Sequence, residues 1–65
     1  MKIKYDKEVD IIYITLSEED IEESIENKPG VIIDYDKNGN VVGLEILQAS
    51  EKTSSPTSVI YELGD

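Results

Sequence analysis

The residues best equipped for chemistry lie between positions 34 and 45. Asp34-x-Asp36-x-Asn38-Gly39-x5-Glu45 satisfies the calcium-loop pattern D-x-[DN]-x-[DN]-G-x5-E at every required position. In such a loop Asp34, Asp36 and Asn38 supply oxygen ligands, the Asn40 carbonyl adds one, Glu45 binds in a bidentate manner, and Gly39 makes the turn. The pattern requires a helix on each side. Here Pro29-Gly30 leads into Val31-Ile32-Ile33, which is strand chemistry. Calcium binding at Asp34, Asp36, Asn38 and Glu45 is therefore the alternative reading, and an acidic, solvated hairpin face is the primary one.

Other catalytic chemistries lack their components. The chain contains no His, Cys or Arg, so the common nucleophile–base pairs, thiolate zinc sites and bidentate phosphate clamps cannot be assembled. Paired carboxylates remain (Asp34 with Asp36, Asp6 with Asp10). On open strand faces and turns, however, nothing raises their pKa toward neutrality, and Asp is a common turn former. The expectation is a non-enzymatic protein without a cofactor.

The element that positions the acidic residues is the hairpin VIIDYDKNGNVVGLEIL, Val31 to Leu47. Asn38-Gly39 is a strong two-residue turn signal. With that turn, Tyr35 faces Val42, Ile33 faces Leu44 and Val31 faces Ile46, while Asp34, Asp36 and Glu45 occupy the other side. A three-residue loop at 37–39 slips the register by one. It then sets Asp34 beside Val42 and Val31 beside Glu45, mixing apolar with charged faces. The two-residue turn is the predicted one.

The rest of the chain is read around this ribbon. Lys2 to Asp6 alternates as a half-buried strand whose lysines suit an exposed edge. Asp6 to Asp10 is a polar turn, and Ile11 to Leu16 is a more central strand with Ile12, Ile14 and Leu16 as core candidates. Ser17 to Lys28 is ambiguous. Ser17-x-x-Asp20 resembles a capping box and Ile21 and Ile25 have helical spacing, yet Ile21, Glu23 and Ile25 also alternate as on a strand; local pattern leans to helix. Gln48 to Lys52 forms a short helical turn. Ser55-Pro56 then reads as a cap and first position of a helix carrying Val59, Ile60 and Leu63 on one side, ended by Gly64. That helix is too short to stand alone and must dock on the sheet. There is no internal repeat and no long linker.

These elements predict a single α+β domain over 1–65. It is a small antiparallel β-meander sheet of about four strands (about 1–47), one face covered by a short C-terminal helix (within about 48–64). The covered face carries Ile3, Tyr5, Ile12, Ile14, Ile33, Tyr35, Leu44 and Ile46. A chain this short buries only about 60% of its unfolded surface, so an external support is expected.

Fifteen acidic residues against six lysines give a net charge of −9. That charge disfavours nucleic acid and anionic membrane and attracts a basic protein surface. No apolar run approaches a membrane span and the N-terminus lacks a signal-peptide core, so the cytoplasm is the expected compartment. On the second sheet face Ile11, Tyr13, Ile32 and Val41 lie among Asp34, Asp36 and Glu45. An apolar patch rimmed by charge marks a partner surface. The leading expectation is an acidic, non-catalytic protein–protein interaction module whose partner is a basic protein or a second copy of the chain.

Two stretches also carry a resemblance. Tyr5-Asp6-x-x-x-Asp10-x-Ile12-Tyr13-Ile14 and Gly30-Val31-x-x-Asp34-x-Asp36-x-x-Gly39-x-Val41-x-Gly43-Leu44-Glu45-Ile46-Leu47 resemble the family catalogued as domain of unknown function 2283, over about residues 1 to 50. The resemblance implies a small antiparallel sheet with C-terminal helical cover, and an extended strand over Asp20 to Asn27 in place of the local helix lean. Members resemble small bacterial and archaeal proteins found beside ribonuclease-like toxins, which by association implies an antitoxin or immunity role. No established activity comes with it.

Overall fold

A computed structural model describes residues 1–64. Five strands, β1 (Lys2–Asp6), β2 (Ile11–Thr15), β3 (Glu23–Lys28), β4 (Val31–Tyr35) and β5 (Val41–Leu47), form one sheet, followed by a single-turn helix α1 (Ala49–Lys52). Every pairing is antiparallel and the order is β1-β2-β5-β4-β3. Three consecutive hairpin-connected strands are followed backwards to a fourth lying beside the last. This is a Greek-key order, not the sequential order of the expected meander. The strand count is five where about four were expected, because Ser17 to Lys28 supplies β3.

That segment supplies a strand at Glu23–Lys28, as the family resemblance implies and against the local helix lean. Ser17 Oγ accepts from the Glu19 amide at 3.3 Å, a local polar turn that takes the place of a capping box. Glu22 N donates to Tyr35 O at 2.8 Å, and β3 then runs along β4. Pairing with an existing edge satisfies backbone groups that an isolated short helix would leave at its ends.

The β4–β5 hairpin departs from the predicted turn and keeps the predicted core. Asp36 N donates to Asn40 O at 2.9 Å and Gly39 N to Asp36 O at 3.1 Å. The loop is therefore the three-residue Lys37–Gly39. Gly39 alone takes the left-handed conformation, at φ 81°, where a two-residue type I′ turn needs it at Asn38 as well. Asp36 closes the loop: its Oδ1 accepts from the Asn38 and Asn40 amides at 2.9 Å each, and Asn40 Nδ2 donates to Oδ2 at 3.2 Å. A bulge next to Tyr35 then corrects the register. Tyr35 pairs with Val41, but Asp34 pairs with Gly43, Ile33 with Leu44 and Val31 with Ile46. Val42 is the extra residue, and β5 twists and bends there.

Paired residues share a face. One row, Ile3–Ile14–Leu44–Ile33–Ile25, crosses all five strands, and a second, Tyr5–Ile12–Ile46–Val31, crosses four. Tyr35 and Val41 complete this apolar face. The opposite, polar face carries Lys4–Tyr13–Glu45–Ile32–Glu26 as one row and Thr15–Gly43–Asp34–Ser24 as another.

The short C-terminal helix is α1, at the expected turn after Gln48; among the described residues no helix forms at Val59, Ile60 and Leu63 to cover the apolar face. Ser58 N donates to Ser55 O at 3.1 Å, one isolated turn, and the chain to Gly64 continues without regular structure. Val59, Ile60 and Leu63, assigned to a docked helix face, are 61%, 83% and 91% exposed. β-branched Val59 and Ile60 are poor helix formers in so short a segment, and nucleation is costly without a docking face. Leu16, a core candidate, is likewise exposed beyond the end of β2.

The opposite end of the sheet is stapled by α1. Asp10, in the left-handed region at φ 57°, accepts from Tyr5 Oη at 2.7 Å, from Ser50 N at 3.0 Å and from Ser50 Oγ at 2.7 Å. Its own carbonyl accepts from Ala49 N at 2.9 Å, and Ala49 is fully buried. Lys52 Nζ donates to Leu47 O at 2.6 Å, beside Gly30, which closes the Pro29-Gly30 turn with φ 81°. The Asp10 carboxyl is held below the usual carboxylate value by the Tyr5 hydroxyl first and Ser50 second.

Gly43 allows β5 to run this close to its neighbours: a Cβ there would lie 3.0 Å from Ile14 O and 3.3 Å from Asp34 Oδ2. Gly43→Ala is expected to destabilise the fold by about 1–3 kcal/mol, the usual cost of forcing a methyl into packed surroundings. Chemical denaturation measures it, and an unchanged midpoint would show that the strands separate freely at this point.

Candidate functional site

The polar face holds the only strongly buried ionisable side chain among the described residues. Asp34, on β4, is 4% exposed. Its Oδ1 accepts from Ser24 Oγ of β3 at 2.7 Å. Glu45, on β5, lies diagonally across from it on the same face. Burial pushes the Glu45 carboxyl above its usual value, and the hydrogen bond and charge of Asp34 push the same way. The two carboxyls share a partly desolvated part of the face.

The floor around this pair is a groove of about 560 Å³. Tyr13, Thr15 and Gly43 line it from the sheet, Lys2 from the edge strand, and Ser17, Glu18, Glu19 and Ile21 from the β2–β3 connection. That connection must cross the ends of β5 and β4 to reach the far edge. It is tied down by the bulge, where Val42 O accepts both Leu16 N at 2.8 Å and Ser17 N at 3.2 Å. Val42 is 3% exposed and lines the same groove. A second recess of about 170 Å³ continues the acidic rim through Glu19, Asp20, Glu22 and Asp36.

The predicted partner residues are divided by the bulge. Ile11, Tyr13 and Ile32 lie half-buried on the polar face, with Tyr13 and Ile32 directly flanking Glu45. Lys4 Nζ sits 6.0 Å from the Tyr13 ring centroid. Val41 does not join them. It pairs with Tyr35 and so belongs to the apolar face, while Val42, the extra residue, is buried. One extra residue in β5 moves Val41 off its predicted face.

The residues of the calcium pattern sit on strand, turn and strand: Asp34 is inside β4, Asp36 and Asn38 in the Lys37–Gly39 loop region, Glu45 in β5. Asp36 is committed to backbone amides, with the Asn40 amide the largest influence holding its carboxyl below the usual value. Among the described residues no group of three or more acidic side chains converges as a metal site requires. The Asp34–Ser24 contact was not foreseen from the sequence, because it depends on β3 being a strand in this register.

A five-stranded antiparallel Greek-key sheet with an acidic groove on one face and an apolar surface on the other defines a small β module. The description "Protein of unknown function (DUF2283)" matches residues 2–50, and the chain belongs to that family. No curated protein and no solved structure matches it. The matched span ends within α1, so it includes the Asp10–Ser50 staple and leaves out the segment beyond it. No helix among the described residues is long and apolar enough to cross a membrane.

A carboxyl with a raised folded-state value contributes stability that is complete below its unfolded value of 4.5 and is lost as pH rises through the folded value. Glu45→Gln removes the charge that Asp34 opposes. The variant is expected to melt above the parent at neutral pH, with the difference closing as pH is lowered below 4.5. A difference that stays constant over that interval in a melting series would exclude a titrating Glu45 as its source.

Proposed function

We propose that the chain is a non-catalytic protein–protein interaction module that sets its polar face against a basic protein partner, in the manner of an antitoxin or immunity protein. The observation that carries this reading is the groove around Asp34 and Glu45. Its half-buried Tyr13, with Ile32 on the other side of Glu45, gives a partner apolar area, and its rim of Glu18, Glu19, Asp20 and Glu22 supplies the field. Aromatic and aliphatic contact at the centre with charge at the rim is the usual division between affinity and steering. The net charge of −9 fixes the sign of the partner and speeds encounter with it.

The proposal also accounts for what the groove lacks. No His or Cys is present in the chain, and the acidic pair faces hydroxyls, a tyrosine and Lys2, which offer no activated nucleophile. A lysine or arginine from a partner would meet the carboxyl pair, and its charge would favour the ionised form of Glu45.

Capture from native cells with the tagged chain tests this reading. The captured protein is expected to be basic, to be released by salt, and to be lost with Tyr13→Glu and with a combined Glu18→Lys, Glu19→Lys, Glu22→Lys variant, both still folded by circular dichroism. Capture that is indifferent to all of these changes would remove the polar face from the interaction.

A further inference from the structure

The polar face leaves the other side of the sheet without an occupant. Its central rows, Ile3–Ile14–Leu44–Ile33–Ile25 and Tyr5–Ile12–Ile46–Val31, contain no ionised group. Charge enters only at the β3 rim, where Glu23 pairs with Tyr35 at one end and Lys28 with Val31 at the other. Ile3, Ile25 and Val41 are 40%, 43% and 44% exposed. Folded domains place two packed layers around a core, and here there is one.

Two dimensions measure the deficit. The chain exposes 5255 Å², whereas a folded monomer of 7.3 kDa exposes about 4,200 Å². The radius of gyration is 12.6 Å, against about 10.7 Å for a compact domain of this length. Part of the excess lies in the segment after Pro56. Its Val59 and Tyr61 border a recess of about 410 Å³ with Ile3 and Tyr5, and its Ile60 and Leu63 are more than four-fifths exposed. Among the described residues the only buried apolar ones are Val42 and Ala49, too few to hold a sheet of this area.

We infer that the missing layer is a second copy of the chain, stacked apolar face to apolar face. Three observations select a copy over a different protein. The surface excess of roughly 1,000 Å² per chain, less the part in the segment after Pro56, stays below about 2,000 Å² when doubled across a two-fold axis, the range of a standard-size interface. The uncharged rows let two chains of net charge −9 meet where neither presents a carboxylate, with their acidic faces turned outward and apart. Finally, a sheet that lacks a core without its cover needs that cover whenever it is folded, and a second copy is present wherever the first is. The rim charges of β3 suit the symmetry: a two-fold axis running across the strands sets Glu23 of one copy over Lys28 of the other, and the reverse. The assembly presents two acidic grooves on opposite sides and is independent of whether a basic partner occupies them.

Sedimentation of the full chain over a wide concentration range tests the inference. The expected mass is twice 7.3 kDa, with a melting temperature that rises with concentration. Ile3→Lys with Ile25→Lys places charge at exposed edge positions that a lone sheet tolerates, and is expected to weaken association by roughly thirtyfold or more. Because the chain has no cysteine, Ile25→Cys also takes a single nitroxide cleanly. Mixed with isotopically labelled chain, it is expected to broaden the methyls of Leu44, Ile33 and Ile14 in the other copy. A monomer at every concentration, or broadening confined to the Tyr13–Glu45 face, overturns the inference. Neither result touches the basic-partner reading, which is measured on the other face by loss of capture in Tyr13→Glu.

Discussion

The single extra residue in β5 is the constraint on which the rest of the sheet depends. The Lys37–Gly39 loop, closed by the Asp36 carboxyl, shifts the two strands by one position relative to a two-residue turn. Left uncorrected, that shift would put Glu45 opposite Val31. The bulge at Val42 restores the pairing of Ile33 with Leu44 and Val31 with Ile46. On its other side β5 keeps its register with β2: the Leu16 amide continues that ladder to the Val42 carbonyl, and Ser17 N donates to the same oxygen. Those two bonds hold the start of the β2–β3 connection, which lines the groove.

The two ends of the molecule are held by different means. At the bulge end, backbone bonds and the Asp36 turn do the holding. At the other end a side chain does it: Asp10 gathers Tyr5, Ala49 and Ser50, joining the first hairpin to the helix that follows the last strand. Charge-assisted bonds of this kind are stronger than neutral ones, and here they close a loop of 40 residues. The residues quoted for the family resemblance thus have local structural work: Tyr5 and Asp10 in the staple, Gly30 and Gly39 at φ 81°, Gly43 at the close approach. Asp34 ties β4 to β3 through Ser24. Glu45 differs: burial first, and Asp34 second, raise its value, at a cost to the folded state at neutral pH.

The sheet's two faces have opposite physical demands. The polar one satisfies its buried group internally, since no buried side-chain polar atom among the described residues lacks a partner. The apolar one has no comparable solution within the chain. The segment expected to cover it has no regular structure, because eight or so residues rich in β-branched side chains cannot offset the cost of helix nucleation on their own. The two surfaces therefore differ in kind: the apolar one is left partly exposed at Ile3, Ile25 and Val41, and the polar one is recessed around Asp34 and Glu45.

The residue order alone determined which side chains are oily, where the strands alternate, and that the chain bends at 38–39. Those features are local, with a period of two set by the pleat, and so Ile3, Tyr5, Ile12, Ile14, Ile33, Tyr35, Leu44 and Ile46 were legible as one face. Asn38-Gly39 marked the bend but not its length, because two- and three-residue loops share the same glycine requirement. On which face Val41 lies, whether residues 17–28 pair with β4 or coil, and whether the last segment is helical were decided by distant partners. The β2 end offers two amides to Val42, the β4 edge offers a ladder to β3, and the last segment lies beside Ile3 and Tyr5 without regular structure. Backbone hydrogen bonds must be satisfied across the whole sheet at once, and that accounting is visible only when every strand is in place.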